Sequence, residues 1–99
     1  MVELVKSATF DRWLTSLRDA RARSRILVRI RRLSLGNPGD VKPVDGGVSE
    51  MRIDYGPGYR VYFAQRGPLV ILLLCGGDKR TQQQDIERAK VIAADWEKD

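Results

Sequence analysis

The sequence contains no histidine, and its single cysteine is Cys75. With one cysteine the chain cannot form an intramolecular disulfide, and it cannot build a His/Cys metal cage by itself. The same absences exclude serine–histidine and cysteine–histidine catalysis. We therefore expect no metal and no other cofactor. Because Cys75 lies in an apolar strand pattern, we expect a buried and unreactive thiol.

Long apolar segments are absent as well. The longest run, Leu69–Cys75, is far shorter than the roughly 20 residues that a membrane-spanning helix needs. The N-terminal residues show no apolar core of the ~7–15 residues typical of a signal peptide. These absences predict a cytoplasmic protein without a membrane partner.

The composition that remains is that of one small globular domain over residues 1–99. Hydrophobic residues make up 42% of the chain and charged residues 31%, which excludes a disordered or collagenous class. Lysine and arginine number 18 against 13 acidic residues, for a net charge of +5. Such an excess indicates an anionic partner, which could be nucleic acid, an acidic protein or a membrane surface.

Arginine is concentrated near the second of two predicted helices. Residues 12–32 hold eight arginines and one acid, Asp19, so this segment carries more net positive charge than the whole chain. Five arginines recur at helical spacing and form a candidate RNA-binding line, namely Arg18, Arg21, Arg25, Arg29 and Arg32. An ordinary solvated helix face would show the same pattern, so both interpretations stay open.

The spacing of apolar residues predicts three helices. The first follows a Ser7 or Thr9 cap and carries Phe10, Trp13, Leu14 and Leu17 at i, i+3, i+4 and i+7. The second covers residues 19–34, and the last begins near Thr81 or Gln82 with Ile86, Ala89, Ala93 and Trp96 on its apolar line. Residues 36–47, rich in glycine and proline, are predicted to form a loop.

Strand patterns occupy the rest of the chain. Residues 2–6 predict a short edge strand. From residue 48 the period changes to two, and with Leu69–Cys75 it predicts three strands joined by tight turns, ending where Gly76-Gly77 breaks the pattern. The predicted fold class is α+β, with two N-terminal helices packed on one face of a small antiparallel sheet, in the order β-α-α-β-β-β-α.

Alternation along the predicted strands places four residues on the sheet face away from those two helices: Glu50, Arg52, Arg60 and Tyr62. Lys79 and Arg80 follow the Gly-Gly corner at the rim. Two strand arginines and a rim lysine could clamp one phosphodiester, because guanidinium groups match phosphate geometry. Tyr62 could stack on a base. The alternative is a solvated surface on which the arginines pair with Glu50 and Asp54.

The sequence resembles the RelE/ParE superfamily of toxin–antitoxin toxins, and within it the HigB-like addiction-module killer proteins. The likeness spans almost the whole chain in one order. It is carried by Phe10, Trp13, Leu14 and Leu17, then Ala22–Leu33, Gly36–Val44, Val48–Ile53, Gly58–Phe63 and Gly76–Ala89.

The resemblance implies a toxin that cleaves messenger RNA on the ribosome and is neutralised by a cognate antitoxin. Such antitoxins are helix-turn-helix DNA-binding proteins, so the toxin would meet DNA through the antitoxin complex alone. By motif, the catalytic cleft residues of the family correspond to Arg52, Arg60 and Lys79, with Arg80 competing for the last position. Arg80 and Tyr62 join the arginine line as candidate RNA contacts.

The chain departs from the family pattern in one respect. Ribosome-dependent nucleases of the superfamily often place a tyrosine or histidine in the final segment, where this chain has Ile86. For proton transfer the sequence then leaves Lys79, Glu50 as a base and Tyr62 as an acid. Two alternatives also stay open, a gyrase-inhibiting toxin of the ParE branch and an RNA-binding or inactive relative.

Overall fold

A computed structural model describes residues 2–97. Over these residues the chain forms, in order, β1 (Glu3–Lys6), α1 (Ala8–Ser16), α2 (Ala20–Ser34), β2 (Val41–Pro43), β3 (Ser49–Ile53), β4 (Tyr59–Arg66), β5 (Val70–Asp78), a 3-10 turn (Lys79–Thr81) and α3 (Gln82–Glu97). The α+β class and all three predicted helices are confirmed.

Side-chain caps explain where the two N-terminal helices begin. The Ser7 hydroxyl accepts a hydrogen bond from the Phe10 amide at 2.9 Å, and donates one to the Leu74 carbonyl at 2.6 Å. One residue thus caps α1 and ties it to β5. Asp19 caps α2 by accepting from the amides of Arg21 and Ala22, and the Ala22 bond holds the pKa of Asp19 below its usual value.

The strands form a single five-stranded sheet in the order β1-β5-β4-β3-β2. The predicted meander of β3, β4 and β5 is confirmed, but the sheet is mixed rather than antiparallel, because β1 pairs parallel with β5. The segment predicted as a loop contains β2, which pairs with β3. A three-residue edge strand ending in Pro43 is too short to show alternation, and an edge tolerates a proline that cannot donate.

Both faces of the sheet are covered. On one face α1 and α2 build the larger core, which contains Phe10, Leu14, Ile26, Ile30, Leu33, Met51, Ile53, Val61, Phe63, Ile71 and Leu73. On the other face α3 packs over Val48, Tyr62, Ala64, Leu72, Leu74 and Cys75 through Ala89 and Ala93. Alternation in the sequence predicts that this second face, with Glu50, Arg52, Arg60 and Tyr62, is open to a phosphodiester or to solvent. That expectation is wrong over most of the face, because α3 covers it.

A β-bulge in β5 sets which side chains face each core. Tyr62 pairs with Cys75 and Phe63 with Leu73, so Leu74 is an extra residue. Leu74 and Cys75 consequently face the same core although they are neighbours in the chain. As expected Cys75 is buried, and burial raises the pKa of its thiol to about 12, which keeps it protonated at neutral pH.

The strand continues through Gly76 and Gly77, where the sequence predicted a break. Both glycines lie under side chains. A Cβ on Gly76 would fall 2.6 Å from Cδ2 of Trp13 in α1, and one on Gly77 would overlap the Asp85 carboxylate of α3. The absence of a side chain therefore lets α1 and α3 approach opposite faces of the same strand.

We expect Gly76→Ala to lower the free energy of unfolding by about 1–3 kcal/mol, because the added methyl group must push the Trp13 ring away. Urea denaturation measures the change. In a Trp13→Leu background the same substitution should cost much less, since the ring that it meets is gone. Equal costs in the two backgrounds would show that the indole ring does not set the requirement for glycine.

Candidate functional site

The register of the sheet brings three cations to one place. Arg52 of β3 lies directly opposite Arg60 of β4, and Arg60 lies opposite Gly77 of β5, two residues before Lys79. All three cations line a cleft of about 520 Å³, together with Asp40, Asp54 and the Gly56–Gly58 turn. The three residues selected as catalytic from the sequence therefore meet at one site, although they come from three different elements.

The turn between β3 and β4 forms one wall of this cleft. Gly58 has a φ of +83°, a backbone conformation that glycine adopts without steric cost. Its carbonyl accepts a hydrogen bond of 3.0 Å from Nη1 of Arg60. The side chain of Arg60 is 10% exposed, whereas that of Arg52 is 41% exposed.

Beneath the arginines lies a buried carboxylate. Glu50 is 1% exposed, and its Oε1 lies 3.6 Å from Nε of Arg52 and 3.5 Å from Nε of Arg60. Its other oxygen, Oε2, accepts hydrogen bonds from the Tyr62 hydroxyl at 3.3 Å and from Nε2 of Gln82 at 2.8 Å. Glu50 thus joins β3, β4 and α3 under the cleft floor.

This arrangement removes Tyr62 from the predicted functional set. The Tyr62 ring is 0% exposed, so it cannot stack on a base. Burial, and next the Glu50 charge, raise the pKa of its hydroxyl, which makes it a poorer acid than an exposed tyrosine. Neither Tyr62 nor Glu50 lines the cleft, so the acid and base roles considered for them have no geometric support.

Lys79 and Arg80 competed for one position, and the structure separates them. Lys79 is exposed and lines the cleft. Arg80 is absent from the cleft lining and makes an ion pair with Asp78 at 3.0 Å. The hydrogen bond from Arg80 lowers the pKa of Asp78. The candidate catalytic cation in this segment is therefore Lys79, and Arg80 remains a candidate RNA contact at the rim.

Four of the five arginines in the predicted line are exposed. Arg21, Arg25 and Arg32 lie on α2, and Arg18 lies in the connection between α1 and α2. Arg25 covers the ring of Tyr55 at 4.7 Å, a cation–π contact. A groove of about 400 Å³ between α2 and the end of β3 shares Ile53 and Asp54 with the cleft. The basic helix and the cleft therefore adjoin.

Arg29, the remaining arginine of the predicted RNA-binding line, has a structural role. It is half-buried and donates to the carbonyl oxygens of Arg52 at 2.6 Å, Pro38 at 3.2 Å and Asp40 at 3.4 Å. These bonds attach α2 to β3 and to the segment that leads into β2. They also place Asp40, whose Oδ1 lies 3.8 Å from Nε of Arg52.

The chain is similar to a known protein family over most of its length. The sequence profile of the family described as Phage derived protein Gp49-like (DUF891) matches residues 12–97. The chain belongs to this family. The Gp49-like family is a family of type II toxin–antitoxin toxins, of the RelE/HigB-like kind.

A relative in Haemophilus influenzae strain Rd, described as an uncharacterized protein, is 48% identical over 92 residues, which cover 93% of each chain. As a Gp49-like toxin, the protein is expected to have an antitoxin partner. Among residues 2–97, none of the helices is long and apolar enough to cross a membrane.

The contacts of Arg29 predict a difference between two arginines on one helix. We expect Arg29→Ala to lower the free energy of unfolding by about 1–3 kcal/mol, because three carbonyl groups lose a charged donor. Arg32→Ala, at an exposed position on α2, should stay within about 0.5 kcal/mol of the wild type. Chemical denaturation of both variants compares them, and equal losses would contradict the structural role of Arg29.

Proposed function

We propose that this Gp49-like toxin is a ribosome-dependent mRNA endoribonuclease that stops translation and that a cognate antitoxin neutralises. The observation that supports this proposal most strongly is the meeting of Arg52, Arg60 and Lys79 in one cleft. Three cations converging on a space of this size fit a phosphodiester, and the cleft adjoins a helix with further arginines for RNA.

The chemistry follows from the charges. RNA is cleaved when its own 2′-hydroxyl gives up its proton and attacks the adjacent phosphorus. The phosphorane that forms carries additional negative charge, and it collapses to a 2′,3′-cyclic phosphate as the bond from phosphorus to the 5′-oxygen breaks and that oxygen takes up a proton. Arginines fixed beside that position stabilise the developing charge without having to reorganise. Arg60 is held by the Gly58 carbonyl and faces Glu50, so its guanidinium is already in place before RNA arrives.

Proton transfer is a separate requirement, which arginine meets poorly because its guanidinium stays protonated. Four groups that line the cleft could exchange a proton, namely Lys79, Tyr59, Asp40 and Asp54. We assign the main catalytic contribution to charge stabilisation and positioning by Arg52, Arg60 and Lys79. The ribosome would align the hydroxyl and the leaving oxygen of the bound message.

The arginines of α2 supply a second part of the proposal. Arg18, Arg21, Arg25 and Arg32 are exposed beside the cleft and fit the phosphates of ribosomal RNA. An acidic segment of the antitoxin would compete with RNA for these charges. In this proposal the antitoxin is a helix-turn-helix protein, through which the complex would reach DNA.

Replacing Arg60 tests the nuclease. We expect Arg60→Ala to reduce mRNA cleavage on purified ribosomes by roughly 10²–10³-fold, because one fixed cation is lost where charge develops. Arg88→Ala, at an exposed position on α3, is the matched control and should cleave normally. Melting curves of both variants confirm that they are folded.

Unchanged cleavage by Arg60→Ala would refute the assignment of the cleft as the active site. Induced expression of the wild type adds an independent test in cells. Fragmented transcripts support the nuclease, whereas DNA breaks with an SOS response would favour the gyrase-inhibiting alternative. Absence of growth arrest would point to an RNA-binding or inactive protein.

The salt dependence of ribosome binding tests the α2 surface. Each phosphate that a cation neutralises adds about one to the slope of log K against log salt concentration. We expect replacement of Arg21, Arg25 and Arg32 by Gln to make that slope shallower by about 3, about one for each arginine, while Arg88→Gln leaves it unchanged. An unaltered slope in the triple variant would show that these arginines of α2 do not contact the phosphates of ribosomal RNA.

A further inference from the structure

The arginine pair at the centre of the cleft poses an electrostatic problem. Arg52 and Arg60 are directly opposite each other on adjacent antiparallel strands, where like charges repel. Glu50 lies two residues before Arg52 in β3, so the two side chains lie on the same side of the sheet. Its Oε1 faces the Nε atoms of both guanidinium groups, so one carboxylate serves as the counter-ion of two cations.

The distances show how this carboxylate acts. At 3.5 and 3.6 Å, neither contact meets the geometry of a hydrogen bond, and both Nε atoms are buried without a hydrogen-bond partner among residues 2–97. The attraction is therefore one of charge, which a buried site strengthens. Within the same described residues, both Nη groups of Arg52 and the Nη2 of Arg60 have no protein acceptor, and an anion could use them.

The hydrogen bonds of Oε2 fix the orientation of the Glu50 carboxylate and therefore the position of Oε1. Oε2 is held between the Tyr62 hydroxyl of β4 and the Gln82 amide, which is the first residue of α3. Tyr62 is fixed by complete burial, whereas Gln82 is half-buried at a helix end. Of the two contacts, the shorter one, at 2.8 Å, comes from Gln82. The orientation of the carboxylate thus depends on a residue outside the sheet.

We propose that Glu50 is a positioning residue for the cleft, and that Gln82 is the residue by which α3 holds it there. Glu50 does not contact the substrate. It turns the Nε edges of Arg52 and Arg60 toward itself and keeps the two guanidinium groups side by side. The catalytic part of this inference rests on the proposed nuclease function, but the positioning part does not.

Three consecutive glutamines make a matched test possible. Gln82→Met removes the amide donor with little change in volume, while Gln83→Met makes the same change at an exposed position on the same helix. We expect Gln82→Met to shift the ¹⁵Nε–¹Hε NMR signals of both Arg52 and Arg60, and Gln83→Met to leave both signals unchanged. These signals require neither ribosomes nor RNA.

On ribosomes, misplaced guanidinium groups should lower kcat for mRNA cleavage about tenfold or more in Gln82→Met, with KM for the ribosome changed less than twofold. Gln83→Met should match the wild type. Gln82→Lys, which supplies another donor to Glu50, should restore at least part of kcat. The fall in kcat with little change in KM is expected because Gln82 positions the residues of the cleft and does not contribute to the α2 surface that binds the ribosome.

The outcomes separate this inference from the proposed function. If Gln82→Met lowers the melting temperature but leaves both arginine signals in place, Gln82 has a merely structural role and the inference is overturned. If the signals shift as expected but the wild-type protein cleaves no RNA, positioning is supported and the nuclease proposal fails. Glu50→Gln, provided that it folds, should shift the same two signals further because it removes the counter-charge itself.

Discussion

The buried carboxylate of Glu50 is the feature on which the candidate site depends. Two arginines at directly opposed positions of an antiparallel sheet repel each other, and one of them, Arg60, is largely removed from water. Removal of the shared negative charge would leave Arg60 buried without its counter-ion and Arg52 with the exposed Asp40 at 3.8 Å, which is far more costly than the loss of an exposed ion pair. A carboxylate below the pair, rather than beside it, lets the arginines remain together while their outer edges stay available to a ligand. The geometry of the cleft therefore depends on the packing of the core under α3 as much as on the side chains that line the cleft.

That dependence extends to the backbone of β5. The bulge at Leu74 shifts the alternation by one residue, so that Gly76 faces Trp13 and Gly77 faces Asp85. Because Gly77 has no side chain, the Asp85 carboxylate can lie against the strand, where it accepts a hydrogen bond of 2.5 Å from the Thr81 hydroxyl. The first turn of α3 is thereby held close to the end of the sheet. Gln82 reaches Glu50 as a consequence, and Lys79 reaches the cleft from the turn just before the helix.

The parts of the fold that could be predicted from the sequence are the helices and strands whose own residues show a clear hydrophobic period. Helical spacing from Phe10 to Leu17 and alternation from Met51 to Phe63 predicted α1, β3 and β4, and the same alternation put Arg52 and Arg60 on one face. It missed β2, which is too short to show a period. It also left the second face open, since nothing local in α3 says which side of a sheet the helix will cover. Asp40 and Gln82 enter the site through pairing between distant segments, and in the sequence Gln82 cannot be told apart from the two glutamines that follow it.

Tyr62 was wrongly interpreted as a base-stacking residue because the sequence does not show that α3 covers its face of the sheet. Alternation correctly placed Tyr62 beside Glu50 and Arg60, on the side away from α1 and α2, and an uncovered sheet would have exposed its ring. With α3 in place, the ring becomes part of a core and its hydroxyl becomes a donor to Glu50. The covering helix thus converts a potential binding residue into one that supports a carboxylate. In a chain without histidine, cations that cannot titrate near neutral pH have to be controlled by placement rather than by protonation. A counter-ion fixed from two directions, by the sheet and by the helix, is how this fold achieves that placement.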